Sequence, residues 1–267
     1  MTSTADVAVI GGSGLYSLLD GAREHRVDTP YGPPSDAVTV GQVAGRRVAF
    51  LPRHGRDHRH PPHLIPYRAN LWALRSLGVR QILAPCAVGG LRAELGAGSF
   101  VLPDQLVDRT SGRERSYVES GAVHVNFADP YCPAGRRAVR ETADVIGMPL
   151  SSAGTVVVID GPRFSTRAES RWYAAAGGTV INMTGAPEAA LARELALCYT
   201  SIALVTDLDA GVDGDHGVTQ EEVFRVFKDN TERMRGLLLA TIANLPAERT
   251  CPCATALDGM RPSYPLP

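Results

Sequence analysis

The sequence predicts a single α/β domain, on three observations. Short apolar runs alternate with amphipathic helical stretches, several of those runs stop at glycine or a polar residue, and 267 residues with 44% hydrophobic content supply one large core without disulfide staples. Polar groups follow two successive strands, at Asn182-Met183-Thr184-Gly185 and Thr206-Asp207-Leu208-Asp209. Ligands of open α/β sheets bind beyond strand ends, so these two segments mark an expected site.

The elements follow in order. Val7 to Ile10 is a first strand that stops at Gly11-Gly12-Ser13-Gly14, a turn whose backbone can approach a ligand closely. Val38 to Val40 and Arg47 to Leu51 form a hairpin pair, and the proline- and histidine-rich stretch Pro52 to Pro66 makes an irregular loop or rim. A helix is expected over Pro66 to Leu77, then a strand over Gln81 to Ala84 that ends in the small-residue loop Ala87-Val88-Gly89-Gly90. Gly154 to Ile159 is a strand, Arg167 to Ala176 a helix, and Thr179 to Ile181 a strand leading to Asn182. Ala189 to Leu197 is helical, and Ser201 to Val205 reads as a buried strand with Asp207 just past its end. Thr219 caps a long amphipathic helix, with Glu222 completing a capping box and Val223, Phe224, Phe227, Leu237 and Leu238 as its apolar stripe. The domain spans 1–267, and its Pro-rich end, 241–267, is expected to be irregular and to cover a neighbouring subunit.

A formal net charge of -1 argues against wrapping nucleic acid and against a polybasic membrane contact, which leaves small-molecule chemistry. Positive charge is almost all arginine, with Lys228 the lone lysine. Among five cysteines only Cys251 and Cys253 are close in sequence, so the spacing shows neither a disulfide framework nor a four-ligand zinc pattern. Met1 to Asp6 lacks a basic region followed by an apolar run, and no stretch reaches membrane-spanning length, so a cytoplasmic location is expected.

The glycine turn at Gly11 to Gly14 presents backbone N–H groups and the Ser13 hydroxyl, which suits free phosphate better than a nucleotide cofactor; an unliganded tight turn fits the same residues. Arg53-His54-Gly55-Arg56-Asp57-His58 forms a phosphate-seeking patch or a solvated loop. His54, His58, His60 and His63 lack the framework of a zinc site, and no metal is expected. Asp207 can donate a proton if burial raises its pKa and Asp209 lies close, or it simply caps the next element. Phe164 stacks on a base or belongs to the core, and no Gly-x-Ser-x-Gly elbow supports a covalent acyl intermediate.

Taken together, Gly12-Ser13-Gly14, Arg53-His54-Gly55-Arg56, Gly161-Pro162-Arg163-Phe164-Ser165, Asn182-Met183-Thr184-Gly185-Ala186-Pro187-Glu188-Ala189 and Thr206-Asp207-Leu208-Asp209 resemble the trimeric purine nucleoside phosphorylase and S-methyl-5'-thioadenosine phosphorylase family, from Gly11 to about Phe227. The resemblance implies the nucleoside phosphorylase fold, a twisted mixed sheet flanked by helices, in a homotrimer with shared sites to which Phe127, Tyr131 and the tail contribute. It places Ser13, Arg53, His54 and Thr184 around phosphate with the Cys86-Ala87 backbone, Met183 with Asn182 against the ribose, and Phe164, Ser165 and Ala87 against the base. Asp207 and His54 then carry the chemistry, with Asp209 beside them, and His124, Gln220, Val223 and Phe224 border the 5'-substituent.

Family members with Asp at the Asp207 position select 6-aminopurines, whereas Asn goes with 6-oxopurines. A protonated carboxyl donates to purine N7 while its other oxygen accepts from the amino group. The implied reaction is reversible phosphorolysis of S-methyl-5'-thioadenosine to adenine and 5-methylthioribose 1-phosphate, with inorganic phosphate as co-substrate and no cofactor. Two residues depart from the family: Cys86 replaces Thr, and Gln220 stands where an apolar residue suits a thiomethyl group, which opens adenosine as a substrate. Competing readings are a phosphorylase for inosine, guanosine or methylthioinosine, a nucleoside hydrolase, and a binding protein with a dead site.

Overall fold

A computed structural model describes residues 4–12, 19–212, 214 and 217–267. Among them ten strands form one mixed sheet flanked by six α-helices. The strands are β1 (Val7–Gly11), β2 (Asp20–His25), β3 (Val38–Val43), β4 (Arg46–Pro52), β5 (Gln81–Gly90), β6 (Phe100–Val101), β7 (Gln105–Asp108), β8 (Thr155–Val158), β9 (Val180–Asn182) and β10 (Cys198–Leu208). The helices are α1 (Tyr67–Ser76), α2 (Pro133–Val145), α3 (Arg167–Ala175), α4 (Gly185–Glu194), α5 (Gln220–Asp229) and α6 (Thr231–Asn244).

The sheet runs β2-β3-β4-β1-β5-β9-β8-β7, and β10 lies along β5 while also pairing with β6. Strands β4, β1, β5 and β10 are mutually parallel, so their carboxyl ends open on one side of the sheet. β9 runs antiparallel to the end of β5, with Ile181 opposite Gly89 and Val180 opposite Gly90. That reversal carries Asn182 back along β5 toward Cys86. β1 is buried throughout and β10 nearly so, as expected for strands covered on both faces.

One apolar cluster packs Leu71 and Leu74 of α1 with Leu191 and Leu195 against Ile10, Leu51 and Ile82. A second packs α2 and α6 against Phe50, Leu83, Ile202 and Leu204 on the opposite face. Leu237 and Leu238 sit in that second cluster, fully buried.

Several expectations change. β5 does not stop at Ala84: the small residues 87–90 continue the strand, paired with β10 as far as Gly90. The long helix expected after Thr219 is two helices. The Asn230 side chain donates back to Val226 O at 2.9 Å and competes with the helical ladder there. Thr219 does accept the Glu222 N–H, at 3.3 Å. The last helix reaches Asn244, so regular structure extends four residues into the expected tail. The tail itself packs on its own chain, with Tyr264 O–H donating to Glu194 O at 2.5 Å and Ser263 O–H to Ser120 O at 2.7 Å. Tyr131 is likewise interior to its own chain, stacked on Tyr199 at 6.1 Å, while Phe127 is half-buried under the Arg193 guanidinium. α2 had no sequence expectation; Cys132 caps it and Pro133 opens it, a start signal hidden because cysteine is not a usual cap.

Candidate active site

A cavity of about 880 Å³ opens at the carboxyl ends of β1, β4, β5 and β10. Arg53, His54, Cys86, Ala87, Phe164, Ser165, Asn182, Met183, Thr184, Asp207, Asp209, Gln220, Val223 and Phe224 all line it. Gly12 closes one end, and Ser13 lies outside the described residues. His124 does not line the cavity: it is exposed on the irregular stretch before α2.

Arg53 is held rather than free. Its Nε and Nη2 donate to the Glu188 carboxylate at 2.8 and 3.0 Å, Nη2 also donates to Ile10 O at 2.9 Å, and Nη1 to Pro85 O at 3.2 Å. A guanidinium carries five N–H groups, so one Nη1 hydrogen is left for a ligand. Burial opposes the charge, but Glu188 outweighs it and keeps the guanidinium firmly protonated. Tyr199 O–H donates to the same carboxylate at 2.7 Å. The expected phosphate-seeking patch therefore divides, because Arg56 turns outward to Glu24 and Asp36.

His54 Nδ1 lies 2.9 Å from His60 O, and a carbonyl can only accept, so the hydrogen sits on Nδ1. Burial, reinforced by Arg53 and His58 charge, lowers its pKa to about 4. The neutral ring thus offers Nε2 as an acceptor for a ligand O–H. His58 stacks on it at 5.1 Å and meets Phe224 edge-on at 6.1 Å, which links the Pro52 to Pro66 rim to α5.

Asp207 belongs to β10 rather than lying beyond it. Between Val205 and Asp207 the register with β5 slips, and this irregularity shifts the carboxylate relative to the ladder. Burial raises its pKa to about 6; the Thr206 hydroxyl, 2.8 Å from Oδ2, opposes the rise, and Asp209 and Glu222 add to it. Asp209 accepts from Ser170 O–H at 2.6 Å and is fixed through its N–H to Gly90 O. Gly89 keeps this crossing tight: a Cβ there would lie 3.0 Å from Ile181 Cγ2 and 3.2 Å from Asp207 Oδ1, so each would have to give by a few tenths of an ångström.

On the β9 side, Asn182 donates to Cys86 Sγ at 3.6 Å and accepts from Gly185 N–H at 3.3 Å. Burial raises the Cys86 pKa, so it presents a neutral thiol. Ser165 Oγ is buried at the cavity wall and has no hydrogen-bond partner among the described residues, a group that a polar ligand would satisfy. Arg113, outside every sequence motif, fixes the Met183 loop by donating to Met183 O at 2.9 Å and Asp160 O at 2.7 Å and also to Ala186 O. Glu188 and Arg113 act through backbone and partner geometry, which no spacing pattern displays. Glu188 at least sits inside a motif; nothing local marks Arg113.

The model of the Phosphorylase superfamily matches residues 6–243. The chain belongs to this superfamily. It is 59% identical to a purine nucleoside phosphorylase of Streptomyces coelicolor over 98% of both chains. It is 54% identical to an S-methyl-5'-thioadenosine phosphorylase of Mycolicibacterium smegmatis over 98% of this chain and 99% of that one. A Schistosoma mansoni methylthioadenosine phosphorylase solved with adenine superposes with a TM-score of 0.88 at 36% identity, covering 92% of this chain and 93% of that one. The superfamily fold expected from the sequence motifs is thus the fold found.

Proposed function

We propose that this chain catalyses the reversible phosphorolysis of S-methyl-5'-thioadenosine to adenine and 5-methylthio-α-D-ribose 1-phosphate. The observation that carries the reading is Asp207, a buried carboxyl with its pKa raised to about 6 in the lining of a cavity large enough for a nucleoside. A carboxyl held near neutrality can be protonated in a water-poor site and donate to the departing base.

Phosphate sits against the free Nη1 hydrogen of Arg53, the His54 ring, Thr184 and the Cys86-Ala87 backbone, with Ser13 completing the set. The glycosidic bond breaks ahead of bond formation, and the phosphate dianion stabilises the positive sugar and attacks C1' from the face opposite the base. Met183 and Asn182 lie against the ribose, and Phe164, Ser165 and Ala87 against the purine. Asp207 donates to N7, and its other oxygen accepts from the 6-amino group. Asp209, anchored by Ser170, keeps negative charge beside Asp207 and so favours the protonated form. No cofactor takes part in these steps.

Gln220, Val223 and Phe224 of α5 border the 5'-substituent. Phe224 is 51% exposed, so this wall is unfinished within one chain. A homotrimer in which His124 of a neighbouring subunit reaches this wall accounts for its exposed position, and light scattering should return three times the 28.4 kDa chain mass. A cytoplasmic location goes with the same proposal; no described helix is long and apolar enough to cross a membrane.

A second reading, phosphorolysis of adenosine or other purine nucleosides, draws on the name of the 59% identical relative and on the polar Gln220. Ultraviolet detection of free purine from methylthioadenosine, adenosine and inosine, with and without phosphate, separates the two. Phosphate-dependent adenine release fastest with methylthioadenosine is expected. A preference for inosine overturns the role of Asp207, and release without phosphate overturns the phosphorylase reading.

A further inference from the structure

Four of the five cysteines meet at the far end of the molecule from the cavity. Cys132 caps α2, Cys198 opens β10, and Cys251 and Cys253 come from the tail. All four are buried, and their sulfur atoms lie within 4.8 Å of one another, with Cys198 and Cys251 at 3.3 Å. Sequence spacing hid the group because two members arrive from distant segments. We propose that this cluster is a structural site for one zinc ion, bound by four thiolates.

Geometry comes first. Tetrahedral zinc with sulfur at about 2.3 Å has sulfur-to-sulfur edges of about 3.8 Å, and four ligands already gathered inside 4.8 Å reach that arrangement by rotation about side-chain bonds. The surroundings agree in sign. A tetrathiolate zinc centre carries two net negative charges, and the groups facing it are positive or donating. The Gly135 N–H of the α2 amino end donates to Cys132 Sγ at 3.4 Å, and Arg249 Nη1 lies 4.0 Å from Cys198 Sγ.

Binding moves protons but no electrons: each thiol that still holds its proton releases it to solvent as a Zn–S bond forms, and no oxidant is needed. The soft sulfur set favours zinc over magnesium or calcium. The ion has no place in phosphorolysis, since Asp207 lies nine steps along β10 from Cys198, about 30 Å at strand rise. Its effect is to tie the tail to the start of β10 and to α2.

The test uses the full chain, purified without chelator from cells grown with added zinc. Elemental analysis should find one zinc per chain. Cobalt substituted for zinc should give the visible absorption of tetrahedral cobalt thiolate. Cys253→Ser and Cys251→Ser should each lower bound zinc at least tenfold, whereas Cys86→Ser keeps it. The wild-type measurement stands alone if a variant fails to fold. Zinc-free protein that titrates all five thiols on unfolding overturns the proposal, as does an intact mass lighter by four hydrogens, which reports two disulfides. Zinc that survives the tail substitutions places it elsewhere and overturns it too.

Discussion

In the proposed reaction Asp207 is the residue that would set both the base preference and a pH limit. Its folded pKa, raised by burial to about 6, exceeds the value near 3.9 of an unfolded chain, so the folded state holds a proton that the unfolded state has lost between those pH values. Stability contributed by the neutral form is present below about pH 4 and is lost as pH rises toward 6. Asp207→Asn should therefore raise stability at pH 8 by on the order of 2 kcal/mol relative to wild type, with the gain vanishing at pH 4. Denaturant titration at the two pH values measures this, and a pH-independent difference contradicts the burial argument. The proposed mechanism uses the same proton, so kcat/KM for methylthioadenosine should fall as pH rises through about 6, and the same Asp207→Asn variant should lose that limb together with at least about 100-fold in rate on 6-aminopurines. Glu188 tests a different dependence. Glu188→Gln leaves the Arg53 guanidinium, 3% exposed, without its counter-charge, and should cost about 3 kcal/mol while raising KM for phosphate. An unchanged melting midpoint together with an unchanged phosphate KM removes Glu188 from the phosphate site.

At the scale of elements the site depends on two strands meeting closely. β10 slips its register at Thr206, and the displaced Asp207 carboxylate comes close to β5 where Gly89 has no side chain. A methyl there would also press Ile181 Cγ2 at 3.0 Å, so Gly89→Ala should cost about 1–2 kcal/mol and lower kcat/KM at least tenfold through displaced Asp207. Equal activity per folded molecule contradicts this coupling. The same region shows what the sequence can disclose. The Asn182 and Asp207 segments read as polar groups near strand ends because a change from apolar run to polar cluster is local, although β10 runs on through Asp207 to Leu208. The strand identity of residues 87–90 did not read, because small residues and two glycines carry turn propensity that pairing with β10 overrides. At the division of α5 from α6 the Asn230 and Thr231 side chains bond back to Val226 O and Phe227 O, and Arg113 holds the Met183 loop from about 70 residues away in sequence. Such tertiary hydrogen bonds leave no periodic trace.

The carboxyl-terminal segment, which composition alone marks as irregular, is anchored to the rest of the chain by a few buried side chains, Cys251, Cys253 and Tyr264. The Tyr264 ring lies 5.5 Å from the Tyr117 ring, which in turn meets Tyr31, and the Tyr264 hydroxyl caps the Glu194 carbonyl at the end of α4. Arg249 and Gln81 fasten the segment farther back, through Ala196 O and Pro246 O at 2.7 and 2.9 Å. The tail is thus a strap from α6 across β10 to α4, ordered by side-chain burial rather than by its own backbone ladder. Removing one large buried anchor should show that dependence. Tyr264→Ala deletes a ring that is 7% exposed and should cost about 3 kcal/mol, lowering the melting midpoint by roughly 6–12 °C. Leu266→Ala, two residues on and 41% exposed, should leave the midpoint within about 2 °C of wild type. Calorimetry on both variants reads the contrast directly: equal small shifts would mean that the segment decorates the core, whereas a shift confined to Tyr264 means that the fold is completed only when its last residues dock.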